Sequence, residues 1–269
     1  MVKAAITKNM KIGLALSGGG ARGVAHLGII KALEEEGIHF DIVTGSSAGA
    51  LIGALYCNGY STEEVCDFFK GTNFLTIFRP SFNLRSLLNI EKAYSELRGY
   101  FTNDDFSTLQ IPLHVSTTDI LKAKVKVFKK GQLVLPILAS CAVPVIFDPV
   151  TIGKRKLVDG GVMDNLPYHS IRKSCDYIIA LHCNPLDKGF KLTNLSSLIE
   201  RSMMLTITQN VHSQKKHYDL FLEPPGLSMF KVIDFKKSGD IYKLGYEYAK
   251  EAIAEGALKD LIKLNEEVL

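Results

Sequence analysis

Phe40-Asp41-Ile42-Val43-Thr44-Gly45-Ser46-Ser47-Ala48-Gly49-Ala50-Leu51-Ile52-Gly53-Ala54-Leu55 decides the architecture of this chain. Its first part is an apolar run of strand length, and its last part is small and apolar enough to pack as a helix against that strand. Between them a serine stands between two glycines. A strand that turns sharply into a helix strains and exposes the central residue, and a Cβ at Gly45 or Gly49 would clash with the crossing backbone. Ser47 is therefore the candidate nucleophile. The plainer alternative is a glycine-rich turn in which Ser47 only caps the helix.

A second segment, Ser17-Gly18-Gly19-Gly20-Ala21-Arg22-Gly23, follows the apolar strand Ile12-Gly13-Leu14-Ala15-Leu16 and precedes a helical pattern over Val24–Glu36 that Gly37 can close. Three successive glycines at a helix N-terminus leave backbone N–H groups open to an anion, reinforced by the helix dipole. In acyl transfer that anion is the oxyanion of the tetrahedral intermediate, and each such donor lowers the barrier by roughly 3–4 kcal/mol. Gly18, Gly20 and Gly23 also fit the dinucleotide pattern G-x-G-x-x-G. That reading needs an acid at the C-terminal tip of the second strand. Asp41 stands at the other end of that strand, and the Gly45–Gly49 turn occupies the tip.

The third segment is Leu157-Val158-Asp159-Gly160-Gly161-Val162, a strand end followed by two glycines. It holds a carboxylate at the rim of a sheet, although a D-G turn alone is common.

G-G-G-x-R-G, G-x-S-x-G and D-G-G, in that order, resemble the patatin-like phospholipases, with further echoes at Ala139-Ser140-Cys141-Ala142-Val143-Pro144 and Asp164-Asn165-Leu166-Pro167. The motifs cover residues 11–175, and the combination is far more specific than any one of them. The resemblance implies a three-layer α/β/α fold around a mostly parallel sheet, with residues 11–175 as catalytic core and 176–269 completing the same domain. It implies a lipid ester hydrolase in which Ser47 is the nucleophile, Asp159 the base, and the amides of Gly18, Gly19 and Gly20 the oxyanion hole. Arg22 stands beside that hole, and Gly23, Gly45, Gly49, Gly160 and Gly161 support the turns.

A Ser-Asp dyad lacks the usual histidine, and an ordinary carboxyl with a pKa of about 3.9 is a weak base. It becomes adequate when desolvated and bonded directly to the serine hydroxyl. Protonated Asp159 then gives its proton to the leaving alcohol and afterwards activates water. A Ser-acid-His order is also available, because His169, His182, His212 and His217 follow Asp159. The α/β-hydrolase elbow comes after several strands, however, whereas Ser47 ends the second. The other histidines, His26, His39 and His114, precede the acid.

Composition agrees with one α/β domain: the chain has 269 residues and is 46% hydrophobic. Thirty-two basic and 28 acidic residues leave a net charge of +4, too weak to make nucleic acid the default partner. A lipid ester substrate, met in solution or at a membrane surface, is the expected partner. Five scattered cysteines (Cys57, Cys66, Cys141, Cys175 and Cys183) suit a reducing compartment and show no zinc-ligand spacing. No signal-peptide core and no spanning apolar run is found, so a cytoplasmic protein is expected. Neither cofactor nor metal is expected, calcium included.

Further along, Ser61–Glu64 reads as a capping box, Ile111–Thr117 as a strand, and Lys124–Leu133 as a hairpin turning at Lys129–Gln132. Leu135–Ala142 reads as a helix, Ile152–Val158 as the strand delivering Asp159, and Tyr177–Leu181 as a buried strand. Leu195–His217 and Ile241–Leu264 read as helices. Phe74–Leu88 is dense in large apolar residues and suits either core packing or an access flap. Two other classes of function fit the residues less well: a lipid-binding or regulatory protein with little turnover, and a dinucleotide-binding protein. An acyltransferase is a nearer variant, with a bound alcohol in place of water.

Overall fold

A computed structural model describes residues 10–71, 90–144 and 146–268. The apolar segment Phe74–Leu88 lies outside the described residues. The strands are β1 (Ile12–Leu16), β2 (Ile42–Ser46), β3 (Leu113–Asp119), β4 (Lys124–Phe128), β5 (Val150–Ile152), β6 (Arg155–Asp159), β7 (Tyr177–Leu181) and β8 (Leu220–Leu222). They form one sheet in the order β5-β6-β3-β2-β1-β7-β8, with β4 also paired to β3. The run β3-β2-β1-β7-β8 is parallel, and β4, β5 and β6 join antiparallel.

Period-2 alternation divides the core between the two faces of the sheet. Ile12, Leu14 and Leu16 of β1 and Tyr177, Ile179 and Leu181 of β7 face one apolar cluster. Helices α1 (Ala25–Glu35), α2 (Ala48–Cys57), α3 (Thr62–Gly71), α7 (Ser238–Ala254) and α8 (Lys259–Val268) contribute to that layer. Ala15, Ile178 and Ala180 face the second cluster, closed by Leu166, Ile171, Tyr218 and Val211 of α6 (Leu195–Gln214). The result is three layers, with the central strands apolar on both sides as parallel sheets require. Truncating a wholly buried side chain such as Leu14 or Ile179 to Ala costs about 2–5 kcal/mol.

Helices α1 and α7 cross at the backbone. A Cβ on Gly28 would run into the Tyr242 carbonyl, and one on Gly245 into the Ala25 carbonyl. Among the described residues the two remaining α-helices are α4 (Ile90–Arg98) and α5 (Val134–Ser140), and α5 packs on β3 and β6. Pro136 sits in the first turn of α5, where its missing N–H leaves no bond unmade. Ser61 and Glu64 exchange the bonds of a capping box before α3, and Gly37 closes α1 with φ +81°.

Three segments differ from the sequence expectation. The hairpin turns at residues 120–123, between β3 and β4, with Ala123 at φ +48°. Gly131, also at positive φ, instead lies on the approach to α5. Ile152–Val158 is two strands, since Gly153 at φ +60° folds β5 back onto β6. Gly256 at φ +94° divides Ile241–Leu264 into α7 and α8.

Candidate active site

One edge of β3 brings the candidate residues together. Its first half pairs parallel with β2, ending at Ser46 opposite Ser116. Its second half pairs antiparallel with β6, ending at Asp159 opposite Thr117. Because β4 covers the other edge over Val115–Asp119, β2 and β6 share a single edge and meet end to end. Ser47 and Asp159 are the residues at that meeting point. The Asp159 carboxylate lies close enough to the Ser47 hydroxyl there for the hydroxyl to favour its ionised form, and the Gly161 N–H donates to Asp159 Oδ1 at 2.7 Å.

Ser47 has φ +51° and ψ −125°, a conformation costly for a residue with a Cβ. Its surroundings hold it there. The Ser47 N–H donates to Ser140 Oγ at 2.8 Å, and the Ser140 hydroxyl donates to the Ser116 carbonyl at 2.6 Å. A Cβ on Gly45 would strike the Gly49 carbonyl, and one on Gly49 would come within 2.5 Å of the Leu16 carbonyl oxygen. Helix α2 therefore touches β2 at Gly45 and the end of β1 at Gly49, both at the backbone. The segment 140–142 braces both functional residues, because the Asp159 N–H donates to the Ala142 carbonyl at 2.9 Å.

The glycine loop lies directly against Ser47: a Cβ on Gly18 would come 2.8 Å from the Ser47 Cβ. Gly18 is buried and its N–H donates to the Asn165 carbonyl at 3.2 Å. Gly19 and Gly20 are partly exposed, and among the described residues their N–H groups have no protein acceptor. Gly23 packs on Ala48, with 3.0 Å left for a Cβ, and Gly160 packs on the Ser116 carbonyl. Arg22 turns away from Ser47: its Nε donates to the Phe230 carbonyl at 2.7 Å. Together with the Ala21 N–H, which donates to the Val232 carbonyl at 2.8 Å, it ties a C-terminal segment over the loop.

Burial pushes the Asp159 carboxyl up to about 6, against the Ser47 hydroxyl and the Gly161 N–H, which favour its ionised form. It thus gains basicity while staying mostly ionised at neutral pH. Burial likewise raises the carboxyl of Asp164 to about 6 and lowers the pKa of the Arg22 guanidinium, which stays charged.

The histidines have other partners. His26 Nε2 donates to the Ser17 carbonyl at 3.0 Å, and burial lowers its pKa to about 4, leaving it neutral. His114 bonds Ser170, while His169 and His217 lie against the Tyr168 ring. His182, His212 and Glu223 converge from three elements as a group able to hold a metal. The 2.6 Å bond between His182 Nδ1 and Glu223 accounts for that arrangement without an ion. Asp41 accepts from the Ile12 N–H at 2.7 Å, at the opposite end of β1 from the glycine loop. Among the described residues no acid therefore stands at the C-terminal tip of β2, where the dinucleotide reading needs one.

Residues beyond 175 take part without any motif to announce them. Cys183 and Asn184, just past β7, line Gly19, and Asn184 Nδ2 donates to the Gly18 carbonyl at 2.5 Å. The strand pattern of Tyr177–Leu181 was the available signal, since a parallel neighbour of β1 must end beside the loop that follows β1. Among the described residues no helix is long and apolar enough to cross a membrane.

A family profile described as "Patatin-like phospholipase" matches residues 14–171, more than half of the chain. The lysophospholipase NTE1 of Meyerozyma guilliermondii is 27% identical over 98% of this chain, which covers 21% of that protein. An uncharacterized NTE family protein of Mycobacterium bovis is 35% identical over 66% of this chain and 51% of its own length. The chain thus spans about a fifth of the length of the NTE1 relatives it matches. Among solved structures, VipD from Legionella pneumophila superposes with a TM-score of 0.61 at 14% identity, covering 93% of this chain and 67% of VipD.

Proposed function

The chain belongs to the patatin-like phospholipase family, and from that premise we propose that it hydrolyses lipid esters through an acyl-serine intermediate on Ser47, with Asp159 as the base. The observation that carries this reading is the placement of Ser47, held at φ +51°, beside a carboxylate whose pKa burial has raised to about 6.

Asp159 takes the hydroxyl proton as Ser47 Oγ attacks the ester carbonyl carbon. The oxygen that gains charge lies against the free N–H groups of Gly19 and Gly20, because the Gly18 N–H is already bonded to Asn165. Each donor stabilises that charge by roughly 3–4 kcal/mol. Collapse of the tetrahedral intermediate breaks the ester C–O bond, and protonated Asp159 supplies the proton to the leaving alcohol. Water then enters, loses a proton to Asp159 and attacks the acyl carbon; the carboxylic acid leaves and Ser47 regains its proton. The Gly161 N–H holds Asp159 in place throughout.

An apolar substrate is supported by side chains exposed beside the site. Val162 and Met163 follow the Asp159 turn, and Asn210 of α6 bonds the Met163 carbonyl. The relatives' name makes a single-chain phospholipid the first substrate to assay. The proposed catalytic unit uses residues 11–175 for its chemistry and 176–269 to complete the sheet and cover the loop. The five cysteines are unpaired, which supports a reducing compartment such as the cytoplasm.

The test is mass spectrometry after exposure to a fluorophosphonate probe. Stoichiometric labelling at Ser47, abolished in Ser47→Ala and strongly slowed in Asp159→Asn, is expected. Folded protein that is not labelled at Ser47 refutes the reading.

A further inference from the structure

The Gly18–Gly19 peptide raises a question of aim. In a planar trans peptide the C=O and the following N–H point in opposite directions. Whatever holds the Gly18 carbonyl therefore also sets the direction of the Gly19 N–H. No Cβ stands at residues 18, 19 or 20, so nothing in the loop itself prevents this peptide from turning over. A turned peptide would present a carbonyl oxygen where the reaction develops negative charge.

The hold comes from outside the loop. Asn184 Nδ2 donates to the Gly18 carbonyl at 2.5 Å and Asn165 Nδ2 donates to it at 3.3 Å. The neighbouring Ser17–Gly18 peptide is pinned from both ends, its carbonyl by His26 and its N–H by the Asn165 carbonyl. Asn184 reaches the loop because β7 runs beside β1: the Ser17 N–H donates to the Leu181 carbonyl, and the Cys183 N–H donates to Ser17 Oγ. Asn184 is buried, and its Oδ1 has no hydrogen-bond partner among the described residues. An unpaired buried acceptor costs about 1–3 kcal/mol. Reversing the amide would set that oxygen against the Gly18 carbonyl and strand the NH₂ group instead. One bond, to Gly18, thus fixes the orientation of this side chain.

We propose that Asn184, seconded by Asn165, is a positioning residue that aims the Gly19 N–H toward the reacting ester by holding the Gly18 carbonyl on the opposite side. This rests on the hydrolase reading above. It adds a residue from outside the three motifs and assigns the aim of the oxyanion hole to a side chain rather than to the glycines.

The test compares wild type, Asn184→Asp, Asn184→Ala and Asn165→Ala. Hydrolysis of a lysophospholipid is followed together with inhibition by a long-chain trifluoromethyl ketone, whose adduct with Ser47 places an oxyanion in the same position. Asn184→Asp sets a carboxylate against the Gly18 carbonyl; kcat is expected to fall by ~100-fold or more, with KM within about threefold, because losing one oxyanion donor has an effect of that order. Asn184→Ala is expected to lose ~10–100-fold in kcat. In each variant ketone affinity falls in parallel with kcat, while the melting temperature shows the protein folded. A merely structural role would not single out kcat and the ketone while sparing KM. The Ala variants decide the matter if Asn184→Asp does not fold. Folded variants that keep kcat and ketone affinity within about threefold of wild type overturn the inference and leave the hydrolase reading intact. Wild type that neither turns over the ester nor labels at Ser47 overturns both.

Discussion

Replacing Asp159 by Asn is expected to destroy activity and to make the protein more stable, by an amount that depends on pH. Burial raises this carboxyl from 3.8 to about 6 in the folded chain. Between those values the folded state binds a proton that the unfolded state does not, so stability falls as pH rises through that window. Above pH 6 the ionised side chain lowers stability by about 3 kcal/mol, and at pH 4.5 by about 1 kcal/mol. The amide that replaces it carries no charge and still offers an oxygen to the Gly161 N–H. Weaker bonds to Ser47 and Gly161 take back about 1 kcal/mol at either pH. For a chain of this size 1 kcal/mol moves the melting temperature by roughly 2–4 °C. Asp159→Asn is therefore expected to melt roughly 4–8 °C above wild type at pH 8 and within about 2 °C of it at pH 4.5. Differential scanning calorimetry at the two pH values measures this. A shift of equal size at both, or destabilisation at pH 8, would refute the argument that a desolvated charge sits at this position.

Three further perturbations test other parts of the site. Wild-type kcat/KM is expected to fall as pH drops through about 6, because protonated Asp159 cannot accept the Ser47 proton; a flat profile from pH 7.5 to 5 contradicts that role. Ser47→Gly is expected to unfold at a higher urea concentration than Ser47→Ala, by about 1 kcal/mol, since only glycine relieves the φ of +51°. Ser140→Ala leaves the Ser47 N–H without its acceptor, so a loss of about 1–3 kcal/mol in urea unfolding and a lower kcat are expected together.

How far the fold could be read beforehand follows from where its information lies. Strands β1 and β7 are continuous apolar runs, and such runs have one stable place, the centre of a parallel sheet. The elbow and the glycine loop were legible because both need glycine for backbone contact that no other residue permits. The β3–β4 hairpin was misplaced because the visible turn signal, Gly131, belongs to the approach to α5, while the true turn puts Ala123 at positive φ. Tertiary pairing with Val115–Asp119 overrides the local preference there. Asn184, Phe230 and Val232 reach the loop only through folding of the chain's last third, and no local pattern in them encodes a partner more than 150 residues away.

The same geometry gives a reason for the proposed dyad where serine hydrolases commonly use three residues. A histidine between serine and acid serves to span a gap and must itself be held in the correct tautomer by the acid. Here β2 and β6 abut along one edge of β3, so their last residues, Ser46 and Asp159, arrive on adjacent rungs, Ser116 and Thr117, and Ser47 follows directly. A backbone N–H, that of Gly161, takes over the orienting task. It has no tautomers and titrates nowhere in the working range. A group of ordinary carboxyl pKa would then be too weak a base, and burial at the strand junction supplies the correction, raising it to about 6. Proximity and basicity thus come from a single feature, the meeting of two strand ends inside the sheet. Lengthening that junction by one residue, for example by an insertion between Val158 and Asp159, would undo both at once. The buried histidines His26 and His182 each have a partner of their own, the Ser17 carbonyl and Glu223.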